Sequence, residues 1–251
     1  MLSIQFRTVY RTQYSKDRGT LYEMSRPAPG RRPRFNQEQI ADIAFGIADR
    51  EGFDAVSMRR VARELGAGTM TLYHYVRTKD ELVSLMDDRL MGHLLVSDEE
   101  VARPWREALT AILLRTYRTR LQHPWSLSAL QNAGYGRNAL RHAEQTLAAL
   151  DASPFTDDQK ATVVSVTDSF VDGHALRAVE LLAETSDRAG ATAASRIPAE
   201  ITGGAYPRVQ RSWQLRAGWW PDMASVWMDR LFAQGVAALL DGFVVAFAAQ
   251  S

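Results

Sequence analysis

Two glycines, Gly66 and Gly68, interrupt an otherwise helical run over residues 57–82, SMRRVARELGAGTMTLYHYVRTKDEL. This interruption constrains the fold more than any other feature of the chain. Upstream of it, Ser57 is an N-cap by residue type, and Met58, Val61 and Leu65 share one helical face. Downstream, Leu72 and Val76 lie four apart and point one way, and Thr78 starts a further helix. Earlier in the chain, Asn36 is placed to cap a helix that carries Ile40, Ile43, Ala44, Ile47 and Ala48 at helical spacing, and Gly52 closes it. The reading is three short helices, a tight glycine turn between the second and third, and a fourth helix from Thr78. That layout is a helix-turn-helix.

With Leu72 and Val76 turned inward, the third helix presents Thr69, Met70, Tyr73 and His74 outward, flanked by Thr71 and Tyr75. Core filling gives no reason for hydroxyls and aromatic tips there. Hydroxyls beside the free N–H groups and positive dipole end of a helix suit phosphate, and tyrosine adds a rigid O–H donor. A threonine methyl or a methionine packs on a thymine methyl, and Arg59 at the start of the second helix can grip a guanine edge with two hydrogen bonds. Lys79, in the first turn of the fourth helix, can pair with backbone phosphate. An ordinary solvent-facing helix with half-buried tyrosines explains any one of these residues, but not the whole set.

The stretch DAVSMRRVARELGAGTMTLYHYVRTKDELVSLM resembles the DNA-binding domain of the TetR (tetracycline-repressor) family of bacterial transcription regulators. The match spans roughly residues 36–90, and cap, turn, aromatic positions and lysine all coincide. The resemblance implies Arg59, Thr69, Met70, Thr71 and His74 facing bases, and Tyr73, Tyr75 and Lys79 holding phosphates. It also implies a cytoplasmic homodimer on a two-fold symmetric double-stranded DNA operator, released by a small-molecule inducer, with no further cofactor required. The alternative is a dimeric DNA-binding regulator whose C-terminal half only dimerises and senses no small molecule.

The expected class is all-α, with a helix-turn-helix domain over 35–84 and a helical regulatory and dimerisation domain over 85–251. HPW, NALRHAEQTLAAL and FAQGVAALLDGF in the second half are similar to the regulatory domain of the tetracycline-repressor subfamily. An apolar pocket is expected between the fourth helix and the two amphipathic helices that follow. His93, Tyr117, Trp125, Asn132, Tyr135, His142 and His174 are its candidate polar tips. Residues 186–222 are rich in Ala, Gly, Ser and Pro without a sustained helical period, and read as a long mobile loop. The last helix is apolar nearly all round from Leu231 to Ala249, and its length approaches a membrane span. Gln234 and Asp241 within it argue for burial against its own subunit plus a partner, not for a membrane. Phe232, Val236, Leu239 and Phe243 form one stripe, expected to build a four-helix dimer seam with Phe170, His174 and Leu181 of the preceding long helix.

Charge and composition bound the rest. The chain has 251 residues, a net charge of +1 and no cysteine, which removes thiolate metal sites and cysteine nucleophiles and fits a reducing compartment. The positive charge concentrates in residues 1–34, where eight Arg or Lys stand against two acids. That segment reads as a flexible basic extension. Two readings of it stay open: a tail preceding a start at Met24, and an arm whose Arg31, Arg32 and Arg34 enter the minor groove. The five histidines form no HExxH and no i,i+4 pair, so no zinc site is expected, and GxSxG, Walker and GxGxxG motifs are absent, so no enzyme is expected.

Overall fold

The computed structural model describes residues 35–129, 136–187, 203–217 and 224–248. The arm residues Arg31, Arg32 and Arg34, the pocket candidates Asn132 and Tyr135, and residues 188–202 and 218–222 of the expected loop lie outside the described residues. The described residues from Gln37 onward belong to one compact unit. All regular structure among them is helical.

Helix α1 (Gln37–Glu51) buries Ile40, Ala41, Ala44, Phe45, Ile47 and Ala48 at three-and-four spacing. Gly52 ends it with φ +84°, a left-handed value that favours glycine. Ser57 caps α2 (Met58–Glu64) by accepting the Arg60 N–H at 3.2 Å. The turn that follows closes α2 as a Schellman motif: the Ala67 N–H reaches the Ala62 carbonyl at 2.9 Å and the Gly66 N–H reaches Arg63 at 3.1 Å. This motif requires the left-handed φ of +63° at Gly66. Gly68, before α3 (Thr69–Tyr73), has an ordinary φ of −74°. Only the first glycine is therefore demanded by the backbone.

Helix α4 (Lys79–Leu94) starts with a double cap. Thr78 accepts the Glu81 N–H at 3.0 Å, and the Glu81 carboxylate accepts the Arg77 N–H at 2.7 Å. Leu72, Val76, Leu82, Met86 and Leu90 close a core with α1 and α2, and Trp125 from much further along the chain joins it. The remaining helices are α5 (Asp98–Val101), α6 (Trp105–Gln122), α7 (Ser126–Ala129), α8 (Arg137–Ala149), α9 (Asp157–Asp187), α10 (Pro207–Ala217) and α11 (Ala224–Ala248). α6, α9 and α11 enclose a second core around Leu113, Tyr117, Val171, Ala175, Phe232 and Val236. α8 packs against both α4 and α6. The segment expected as a loop over 186–222 is partly helical, since α9 continues to Asp187 and α10 occupies 207–217.

The expected dimer stripe needs a correction. Phe232 and Val236 are each 1 % exposed, and Leu181 is 8 % exposed, inside the chain's own second core. The stripe faces inward because Tyr117, Phe170 and His174 offer it aromatic partners within the same subunit. Phe243 and Leu239 are half-buried, with Phe243 packed against that core and stacked on Phe247. The opposite face of α11 is open along Ala233, Ala237, Ala238, Gly242, Val245 and Ala246. Only 17 % of the apolar stretch within Val226–Ala248 is buried in the chain.

Candidate nucleic-acid interface and regulatory core

The sequence places two adjacent arginines at the start of α2, and the structure gives them different positions. Arg60 binds Glu51 at 2.6 Å and also Glu64, which Arg50 holds at 2.9 Å. Its hydrogen bonds to Glu51 and then Glu64 raise its pKa further, and its presence lowers that of Glu64. Arg60 is therefore a clamp between α1 and α2. Arg59 stays exposed and is in none of these pairs. On α3, Met70 is 75 % exposed, Tyr73 and His74 are exposed, and Thr69 and Thr71 are half-buried. Leu72, at 1 %, anchors the helix from below. Tyr75 is half-buried against the first core, and its carbonyl accepts the Gln37 side-chain N–H at 3.1 Å. Lys79 is exposed at the N-terminus of α4, with its ammonium 5.6 Å from the centre of the Phe53 ring.

His93 and Trp125 gather around Phe45 of α1. Phe45 meets His93 at 5.4 Å, His123 at 4.7 Å and Trp125 at 5.1 Å between ring centres. One Asp49 oxygen takes both His123 Nδ1 and the Trp125 indole N–H, each at 2.7 Å. Burial and the Arg89 charge lower the His93 pKa. This junction ties the end of α6 to the first helix of the DNA-reading unit. The sequence offers His93 and Trp125 as pocket tips, and the structure packs both on Phe45; Asp49 and His123 were not legible, because one carboxylate shared across 74 residues leaves no local pattern. Two further ties were equally silent. Asp88 of α4 accepts the Asn138 N–H at 2.7 Å, and Gln145 of α8 pairs with both backbone groups of Val96, at 2.8 and 3.2 Å.

Tyr117 and His174 meet in the second core. Tyr117 is fully buried, stacked on Phe232 at 4.3 Å and 5.4 Å from His174. The Met228 carbonyl lies 2.9 Å from His174 Nε2, which requires the proton on that nitrogen. The Tyr117 hydroxyl makes no hydrogen bond of ordinary geometry; burial, and then Asp229 beside it, push its pKa up. One turn further along α6, Arg120 holds Asp172 at 3.2 Å and the Ser126 hydroxyl at 3.3 Å. His142 keeps Nδ1 buried without a partner; burial and the Arg120 charge lower its pKa to about 4. Burial raises Asp87 of α4 to about 6, against the opposing pull of Arg120. Among the described residues no group of three or more His, Cys, Asp or Glu is placed to hold a metal ion.

The comparisons agree with this architecture. Residues 40–86 match the family of bacterial regulatory proteins called tetR, and residues 100–246 match the tetracyclin repressor-like C-terminal domain. The chain is 33 % identical over 227 residues to the HTH-type transcriptional repressor DrrR1 of Streptomyces coeruleorubidus, covering 88 % of this chain and 81 % of the relative. It is 27 % identical to an HTH-type transcriptional regulator of Saccharopolyspora erythraea, over 75 % of this chain and 79 % of the relative. The structure of Streptomyces coelicolor ActR with actinorhodin aligns with a TM-score of 0.63 at 27 % identity, covering 88 % of this chain and 98 % of that one. ActR with (S)-DNPA aligns with a TM-score of 0.63 at 25 % identity, over 86 % and 100 %. Both ends of the molecule, helix-turn-helix and helical regulatory half, thus match one family, and the chain belongs to the TetR family of DNA-binding transcriptional regulators.

Proposed function

We propose that the chain is a homodimeric, ligand-responsive repressor that grips a palindromic operator with α3 and lets go when a small molecule enters the regulatory half. The observation that carries the reading is the open face of α3, with Met70, Tyr73 and His74 exposed over a buried Leu72 anchor. Arg59, Thr69, Met70, Thr71 and His74 face bases in this reading; Tyr73, Tyr75 and Lys79 hold phosphates. Arg31, Arg32 and Arg34 supply a minor-groove arm, and the DNA-reading unit ends near residue 84.

The ligand response is supported by where α4 leads. It starts at Lys79 and ends laced to α8, while the Asp49 junction ties α6 to α1. A ligand that shifts α6 or α8 therefore moves the two helices that carry the reading head. ActR, of the same fold, is solved with actinorhodin and with (S)-DNPA, which favours a small-molecule effector here. Unpartnered polar groups in the core (Tyr117, His142) speak against the alternative of a half that only dimerises. The dimer is supported by the open small-residue face of α11, which water does not suit and a second copy does.

The test is a binding-site selection with purified protein, then a compound screen for release from the selected DNA. The reading expects a palindrome with half-sites about one helical turn apart, on the order of 34–36 Å. An asymmetric site, or no compound that releases it, overturns the corresponding part.

A further inference from the structure

A cation is poorly placed at the first residue of a helix, because the amino end of the helix carries positive partial charge. Lys79 nevertheless opens α4, directly after the Thr78 cap. Core packing does not account for it, since the residue is exposed. Among the described residues it enters no ion pair. What meets it is a ring. Its ammonium lies 5.6 Å from the centre of Phe53, within the distance at which an aromatic face attracts a cation.

That ring is itself held. Phe53 opens the single 3-10 turn Phe53–Ala55 between α1 and α2, and is half-buried against the first core. Trp125, from the regulatory half, stacks on it with the two planes 10° apart and 6.1 Å between ring centres. Trp125 is only 9 % exposed, meets Phe45 edge-on at 5.1 Å and donates its indole N–H to Asp49 at 2.7 Å. A long, flexible side chain thus ends beside a ring whose own position is fixed from behind by packing. Ordering a lysine costs rotamer entropy, and a neighbour that already restrains it lowers the share of that cost that falls on binding. An ammonium has three N–H donors, so a contact with a ring leaves donors for a phosphate oxygen.

We infer that Phe53 is a positioning residue for DNA binding: its ring, backed by Trp125, presents the Lys79 ammonium to a backbone phosphate. The inference rests on the reading of Lys79 as a phosphate contact and adds what sets its posture. Because Trp125 belongs to the regulatory half, the same two rings join a DNA-facing charge to that half.

The test is a double-mutant cycle on the full chain, read by fluorescence anisotropy. The probe is a labelled mixed-sequence duplex of about 30 base pairs, titrated between about 50 and 200 mM salt, since a phosphate contact needs no particular sequence. Lys79→Ala should weaken binding and lower the salt slope by about one for each bound subunit. Phe53→Leu keeps an apolar side chain and removes the ring. It should weaken binding by about threefold where Lys79 is present, and by less than about 1.5-fold in the Lys79→Ala protein. Phe53→Tyr keeps the ring and should restore the wild-type affinity and slope. Trp125→Leu should act in the same direction as Phe53→Leu, and again only where Lys79 is present. Any loss of folding stability from these substitutions is common to both backgrounds, so a merely structural role predicts equal weakening with and without Lys79. Equal weakening overturns the inference, as does Phe53→Leu that binds as tightly as the wild type or more tightly while Lys79→Ala weakens. A Lys79→Ala protein with unchanged affinity and salt slope removes the phosphate reading itself, and the positioning role with it.

Discussion

Single residues divide here between holding the reading head and using it. Arg59 and Arg60 are neighbours of one type, yet only Arg60 is tied into the Glu51 and Glu64 clamp. Arg59→Ala should cost about 1–3 kcal/mol of operator binding and relax base preference while leaving the melting temperature alone. Arg60→Ala should do the opposite, lowering the melting temperature with specificity preserved among molecules that stay folded. Calorimetry and electrophoretic shifts on the two variants decide it; a swapped pattern sinks the docking. Lys79→Ala should weaken all sequences alike and flatten the salt dependence. The two glycines divide as well. Gly66→Ala forces a side chain into φ +63° and should destabilise by about 1–2 kcal/mol, whereas Gly68→Ala, at φ −74° with no clash, should stay within about 0.5 kcal/mol. Asp87 carries a pH signature. Burial holds its folded pKa at about 6, above the ordinary carboxylate range, so the folded state binds its proton more tightly. Stability from this group is fully present below the unfolded value and is lost as pH rises through about 6. Asp87→Asn should therefore be more stable than the wild type at pH 7.5, by roughly 1–3 kcal/mol, and lose that advantage near pH 4. Denaturant titration at both pH values measures it.

Among the elements, α4 and α6 carry the traffic between the two halves. α4 has its first turn at the expected DNA face, and Asp88 within it and Val96 just past its end are tied to α8. α6 ends in His123, which with Trp125 meets Asp49 of α1. One route thus reaches the reading head through α4 and the other through α1. Asp49→Ala removes both of those hydrogen bonds without touching α3. Operator affinity in the absence of effector should change less than about threefold, on the order of 0.6 kcal/mol, while the ratio of affinities with and without effector collapses toward one. A ratio equal to that of the wild type would assign the coupling to α4.

At the scale of the whole molecule, the proposed dimer rests on α11. Its inner face is used by Phe232, Val236 and Leu240 within the subunit, and its outer face shows Val245 at 72 % exposure among alanines and a glycine. Small side chains let a second helix approach closely, which suits a two-fold contact. Val245→Arg places a charge on that outer face and leaves the inner one intact. It should give folded monomers in sedimentation analysis that no longer hold two half-sites. Phe232→Ala should instead cost about 3–5 kcal/mol of stability, because it opens a cavity beside Tyr117. Dimers that persist in the Val245→Arg protein would move the interface elsewhere.

The local grammar of the reading head was legible in the sequence. Ser57, Gly66 and Thr78 punctuate the chain by the backbone chemistry of caps and turns, and those rules act over a few residues. Leu72 and Val76 were legible as the inward pair because helical period alone sorts the faces of a short helix. The apolar character of the last helix was legible too, but which side faces its own subunit was not. Phe232 and Val236 turned inward because Tyr117 and Phe170, from two other helices, complete the stacking. In the same way Trp125 joined the core of the reading head, and Asp49 acquired its two partners. Arg120 and its partner Asp172 come from two helices and carry no spacing that links them. Local bonding is written in neighbouring residues, whereas a shared carboxylate, a stacked ring or an ion pair between helices exists only once distant helices have packed, and that tertiary packing decided how the two halves are joined.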